Sequence, residues 1–299
     1  MIEGKQFGRK WAALAGSVSL LYAGLIPLQA VEKEGMPDLA QVEQTCLPTS
    51  TANLIIWFGH HGYPQLILGG ETPDERNLHT VHRIMTDTDA RFDWGTRMDT
   101  VTTGIEKYIR DAGYNCNVEY RGLWGSGEAF NRDWLVQNDD PNKGFILLLS
   151  YCRFDPASQA FRNALGAGHA VTLVNAEPDL LLIHDPAHED DETGRKIITP
   201  YVLTSGSWTE RGETASVAGL MMLSGSLLQA PEDSQVMVTG AVCVTMLPAD
   251  KGSGASAAPD TVIAGHGSGA TDSVSGGSKS VTKNSPTWSG WLFHLLFSN

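Results

Sequence analysis

Gln41-Val42-Glu43-Gln44-Thr45-Cys46-Leu47-Pro48-Thr49-Ser50-Thr51-Ala52-Asn53 places a cysteine at the entrance of a predicted helix, with two glutamines just upstream. From Thr49 to His60 the chain is mainly apolar (Ala52, Leu54, Ile55, Ile56, Trp57, Phe58), the pattern of a buried helix that stops at Gly59 and Gly62. Pro48 suits a first helical turn, where a missing N–H costs nothing. A thiol just ahead of that turn lies beside free N–H groups and the positive end of the helix dipole, and both favour negative charge on sulfur.

Far downstream stand Gly168-His169-Ala170-Val171 and then His184-Asp185-Pro186. His169–Asn175 and Leu180–His184 read as two strands joined by the turn Ala176-Glu177-Pro178-Asp179. Antiparallel strands joined this way bring His169 and Asp185 side by side. An imidazole can take the proton of Cys46 and return it to a leaving group, and a carboxylate on its other nitrogen fixes the tautomer. Gly166 and Gly168, just ahead of the histidine, permit close backbone approach by a substrate. The backbone N–H of Cys46 and a side-chain amide from Gln41 or Gln44 would hold the oxyanion.

The remaining elements are a helix over Met98–Ala112, a strand over Asn115–Arg121, a helix over Gly127–Gln137 and an apolar strand over Phe145–Cys152. Further strands are expected over Lys196–Leu203, Val217–Leu223 and Gln235–Leu247. Residues 71–98 read as helix plus loop, and residues 31 to about 40 as a short lead-in. A helical front half followed by an antiparallel sheet is an α+β order.

The order glutamine, cysteine at a helix, histidine on a strand, then Asp-Pro resembles the papain-like cysteine peptidases. Within them it is similar to the C39-like branch, whose patterns run Gln-x5-Cys-Gly-Pro-Ala and Gly-His-x-Val…Asp-Pro. The likeness spans roughly residues 37–247, and the Gly113-Tyr114 helix end fits it too. It implies a papain-like α+β fold with Cys46 as nucleophile, His169 as base, Asp185 as orienting residue and Gln41 as the oxyanion donor. Two positions depart from the pattern: Leu47 stands where the family has glycine, and Gln41 lies one residue closer to the cysteine. On the same fold an amidase or transpeptidase, or an exported binding protein with an unused thiol, are the alternatives.

Composition narrows the partners. The formal net charge of the 299-residue chain is -13 with no basic cluster, which argues against nucleic acid, because phosphate binding needs clustered Lys and Arg. Lys5, Arg9 and Lys10 precede the apolar run Trp11–Ile26 and Leu28-Gln29-Ala30, the layout of a secretory signal peptide over 1–30 and hence of export. A catalytic domain follows over 31–249. Residues 250–287 are rich in Gly, Ser, Ala and Thr and read as a linker, and 288–299 as an apolar aromatic tail suited to docking on a membrane or cell surface. Four cysteines at no CxxC spacing (Cys46, Cys116, Cys152, Cys243) leave room for at most one internal disulfide if Cys46 is a free thiol. His60-His61 and His79-x-x-His82 have no completing ligand in a recognisable spacing, so neither metal nor cofactor is expected. Trp57, Trp94, Trp124, Trp134 and Trp208 read as core and cleft wall.

Overall fold

The computed structural model describes residues 32–91, 95–123, 130–187, 195–210, 212–223, 230 and 233–248. The expected signal peptide, linker and tail lie outside them. Helix α1 (Cys46–His60) is the axis of the fold and is buried from Leu47 to Gly59. A helix with apolar residues all round needs protein all round. Helix α2 (Pro73–Asp87) packs beside it, and α3 (Met98–Asp111) packs beside α2. A full capping box opens α2, with Thr72 and Glu75 exchanging hydrogen bonds. Gly104 of α3 faces the backbone of Asp87 and Thr88, which a Cβ would overlap, so glycine sets how closely these helices meet.

The strands are β1 (Cys116–Gly122), β2 (Lys143–Asp155), β3 (Ala160–Glu177), β4 (Leu180–His184), β5 (Arg195–Ile198), β6 (Pro200–Val202), β7 (Ser207–Glu210), β8 (Glu213–Ser216), β9 (Met221–Leu223) and β10 (Gln235–Met246). They form one sheet whose main path runs β5-β4-β3-β2-β10-β9-β6. Strand β1 pairs with β10, and the β7–β8 hairpin joins the sheet through β3. Alternation divides the interior in two. Phe145, Leu147, Leu149, Val171 and Leu173 belong to a core completed by Phe130, Trp208 and Val217. Ile146, Leu148, Ala170 and Val174 belong to a second core, with α1, α2 and α3. Gly144 on β2 faces Leu54 of α1, which any Cβ would overlap, so the helix seats directly on the sheet there.

The structure is mixed α+β with a large sheet and few helices, and it departs from the expected layout in several places. Strand β7 runs parallel to β3, pairing Ala160 with Ser207 and Phe161 with Trp208, so the sheet is not wholly antiparallel. The helix expected from Gly127 appears only as α4 (Arg132–Gln137), started by Asn131, whose side chain accepts from the Trp134 N–H. Residues 127–129 lie outside the described residues. Strand β3 begins at Ala160, well before His169, because Asn163 to Ala160 continue the pairing with β2 beyond an irregularity. The expected strand Lys196–Leu203 is two strands broken at Thr199, one at each end of the main path.

The short lead-in, described from residue 32, is fastened to the domain through to residue 45. Lys33 is buried against Asp139 and lies 5.9 Å from the Trp57 ring centre, and its backbone N–H donates to Val174 O. Burial raises the Asp139 carboxyl above its ordinary value, with Lys33 opposing the shift. Further along, Glu34 O accepts from Trp57 Nε1 (3.1 Å), Pro37 O from His184 Nδ1 (2.9 Å), and the Leu39 N–H donates to Asn53 Oδ1 (3.1 Å). The Gln41 N–H donates to Pro186 O at 2.7 Å. The segment is a strap across α1, β3 and the end of β4.

Candidate active site

Cys46 is the first residue of α1, partly exposed, on the N-terminal end of the most buried helix. Thr45 precedes it without a side-chain cap; its hydroxyl instead donates to Val42 O (2.8 Å) and accepts from the Val42 N–H (3.1 Å). Glu43 takes a positive φ of 53°, which folds residues 42–45 into a tight turn against the helix start.

Three polar residues key α1 to β3. Ser50 Oγ donates to Ala170 O (2.9 Å), Thr172 Oγ1 donates to Ser50 O (2.9 Å), and Asn53 Nδ2 donates to Thr172 Oγ1 (3.3 Å). Cys46, Ser50 and Asn53 follow the i, i+4, i+7 spacing of a single helix face. The face that hydrogen-bonds β3 is therefore the face that carries the thiol.

His169 stands on β3 opposite Leu149, where the β2–β3 register is about to break. Pairing resumes only at Cys152 with Asn163, so residues 164–167 bow out, with Gly166 at φ 66°. Strand β4 returns beside β3, pairing His184 with Thr172, and Asp185 follows at its end. His169 Nε2 lies 2.7 Å from Asp185 Oδ1, and both residues are buried. Asp185 Oδ1 also accepts from the Ala187 N–H at 3.0 Å. With Nε2 on the carboxylate, Nδ1 is the imidazole atom left for the Cys46 thiol, which is near enough to raise the pKa of this ring.

Burial alone would lower the His169 pKa, but Tyr151, the hydrogen bond and charge of Asp185 and the nearby Cys46 outweigh it and hold it well above the ordinary value. Burial pushes the Tyr151 phenol up as well, so near pH 7 it is neutral, and the charge stabilising an imidazolium is that of Asp185. The other three thiols differ in kind. Burial drives Cys152 to about 12 and Cys116 and Cys243 to about 11, so they are neutral hydrophobes. All four cysteines are free.

Gln41 is tied to the aspartate's segment through Pro186, and its Nε2 donates to Glu43 O at 2.8 Å. An amide nitrogen carries two hydrogens, so this bond is compatible with a second donation. Gln44 lies in the turn beside Cys46. His184, the alternative orienting residue, is turned to Pro37, and His188 lies outside the described residues. His61 and His79 each donate Nδ1 to a backbone carbonyl, of Trp57 and Gly69. Trp57 and Trp208 are buried and Trp134 packs on the Trp208 core, while Trp94 and Trp124 lie outside the described residues. Sequence reasoning missed Ser50, Asn53, Thr172 and Tyr151. Two polar residues at helical spacing after the cysteine, inside an apolar run, were the available signal for the first pair.

No family model matches the chain, and it matches no curated protein. Among solved structures it is similar to the Pseudomonas avirulence protein AvrPphB. Sequence identity is 14%, over 74% of this chain and 97% of that one, with a TM-score of 0.25.

Proposed function

We propose that this chain is an exported cysteine peptidase working through a Cys46–His169–Asp185 triad. The observation that carries the reading is a partly exposed thiol at the start of a buried helix, near an imidazole whose Nε2 is 2.7 Å from a buried carboxylate. His169 takes the proton of the Cys46 thiol as the sulfur adds to the scissile carbonyl carbon, and the carbonyl π pair moves onto oxygen. Gln41 Nε2 and the Cys46 backbone N–H donate to that oxyanion. As the oxyanion collapses the C–N bond breaks and His169 gives its proton to the departing amine, leaving a thioester on Cys46. Water then adds to the thioester as His169 takes its proton; the C–S bond breaks as His169 returns that proton to sulfur, the carboxylic acid leaves and the thiol is restored. Asp185 holds the imidazole in the tautomer both steps need. The basic and apolar first thirty residues direct export, and the apolar tail holds the enzyme at a membrane or cell surface.

The test is labelling by iodoacetamide near pH 7, followed by peptide mapping. Modification should fall on Cys46, and His169→Ala should slow it by about 10²-fold or more, the lower end of what a positioned base supplies. Equal labelling of wild type and His169→Ala would overturn the proposed catalyst.

A further inference from the structure

A groove of about 1140 Å³ runs over the end of the sheet where β2 stops and β3 and β10 start. Phe154 of β2 and Phe161 of β3, with ring centres 5.0 Å apart, line it together with Tyr201 of β6, Met222 of β9 and Val236 of β10. No charged residue and no histidine is among the described residues that line it. Phe154 is 42% and Tyr201 64% exposed, and no other phenylalanine, tyrosine or tryptophan among the described residues is left so open. Both stand on this groove. Exposed apolar residues gathered at a concavity mark a contact surface, whereas scattered ones need no explanation.

We infer that the groove holds the chain's own apolar tail, residues 288–299, docked back on the domain. The inference is independent of the peptidase reading. Pattern argues for it first. Trp288, Trp291, Leu292, Leu295 and Leu296 follow the i, i+3, i+4, i+7, i+8 spacing that gathers apolar side chains on one side of a helix. A helix laid in an apolar groove is a recurring recognition mode, and its anchors take this spacing. Chemistry agrees, because residues 288–299 contain no Asp, Glu, Lys or Arg and the groove offers no charge to meet one. Size agrees as well. Whole small-molecule sites occupy roughly 300–1,000 Å³, and this groove exceeds that range, as several side chains of one segment require.

Reach is the remaining condition. The groove lies at the start of β10, and the chain leaves the sheet at the other end of that strand, after Met246. Twelve residues of antiparallel strand separate the two by about 40 Å. Residues 250–287, a Gly- and Ser-rich stretch, have a root-mean-square span of about 31–37 Å, as a flexible chain of roughly 38 residues does. A linker whose span matches the separation gives the highest effective concentration, so the chain's own tail outcompetes one from solution. Docking in the groove and insertion at a membrane or cell surface are exclusive states of the same residues. The groove is where the tail lies in solution.

The experiment places the photo-crosslinker p-benzoylphenylalanine at position 291 of the full chain, in place of Trp291, and irradiates dilute protein in buffer free of lipid and detergent. Crosslinks should form within one molecule, with a yield that does not change on tenfold dilution, and should map to peptides containing Phe154, Tyr201 or Met222. Phe154→Glu and Tyr201→Glu, both at exposed positions where a charge leaves the fold intact, should each lower that yield about fivefold or more. Leu295→Asp, in the tail and remote in sequence from every described strand, should do the same. Crosslinks that map elsewhere on the domain, that join two molecules and fade on dilution, or that survive all three substitutions overturn the inference, as does the absence of any crosslink.

Discussion

The two faces of the central sheet bury similar apolar residues from the same strands, yet they are fastened differently. On the face away from the thiol, Leu147, Leu149, Val171 and Leu173 meet Phe130, Trp208 and Val217 in a core of apolar contacts. On the face of α1, Ala170, Val174, Ile146 and Leu148 do the same work, but a buried polar chain of Ser50, Asn53 and Thr172 runs through the contact. Apolar packing is tolerant of direction, because the hydrophobic effect has none. Hydrogen bonds are not, and a half-satisfied set is costly. One face supplies stability. The other also fixes the height and rotation of α1 on β3, which determines whether Cys46 meets His169.

The sharpest break in this comparison comes from Asp185. Asp185→Asn keeps the shape and removes one of the groups that, with Tyr151 and Cys46, hold His169 well above its ordinary value. Burial, which works in the opposite direction, then meets less opposition, so the His169 pKa falls. We expect kcat/KM to drop about 10²–10⁴-fold, the range of positioned acid–base catalysis, with the alkaline limb of the pH–rate profile moving to lower pH. Stability should respond with a defined sign. A folded-state pKa above the unfolded value near 6.5 means the contribution is complete below about pH 6.5 and is lost as pH rises through the folded value. Urea titrations of wild type should show that decline across neutral and mildly alkaline pH, and Asp185→Asn should flatten it. An unshifted limb would show that Asp185 does not set the imidazole's charge.

Leu147→Ala probes the opposite face. Leu147 is fully buried in the apolar core, and its truncation should cost about 2–5 kcal/mol of unfolding free energy. Where the variant remains folded, Cys46 labelling should stay within about twofold of wild type, because no polar contact of α1 is touched. A large labelling defect in a folded Leu147→Ala protein would mean that the two faces are not separable.

How much of this was legible in the sequence follows the same division. Apolar periodicity is local and strong, so α1, α3 and the strands β1, β2, β4 and β10 were readable within a few residues. The His169–Asp185 juxtaposition was readable too, since one short hairpin between two strands fixes it. Long-range register was not. The bulge over 164–167, which makes β3 continuous from Ala160, depends on pairing with β2 and leaves no local mark beyond Gly166. The β7–β8 hairpin, polar and four residues per strand, offers little alternation to detect. The strap was hidden for a related reason: Lys33 reads as a solvated charge until Asp139, far along the chain, is placed against it.

The smallest expected effect separates the two faces most cleanly. Thr172 is fully buried on the α1 side of β3, donating to Ser50 O and accepting from Asn53 Nδ2. Thr172→Val keeps the β-branched shape and removes only the hydroxyl, leaving a buried carbonyl and a buried amide each short of one bond. The stability cost should be about 1–3 kcal/mol by urea titration, comparable to or below that of Leu147→Ala. Helix α1 would still be held by its apolar contacts, which permit small slides and rotations that the polar chain forbids. Labelling of Cys46 should therefore fall several-fold even in a folded protein, and more per unit of stability lost than in Leu147→Ala. That ratio, rather than either loss alone, carries the distinction. If both variants lose labelling only in proportion to stability, the polar chain is ordinary core and the placement of Cys46 owes nothing to it.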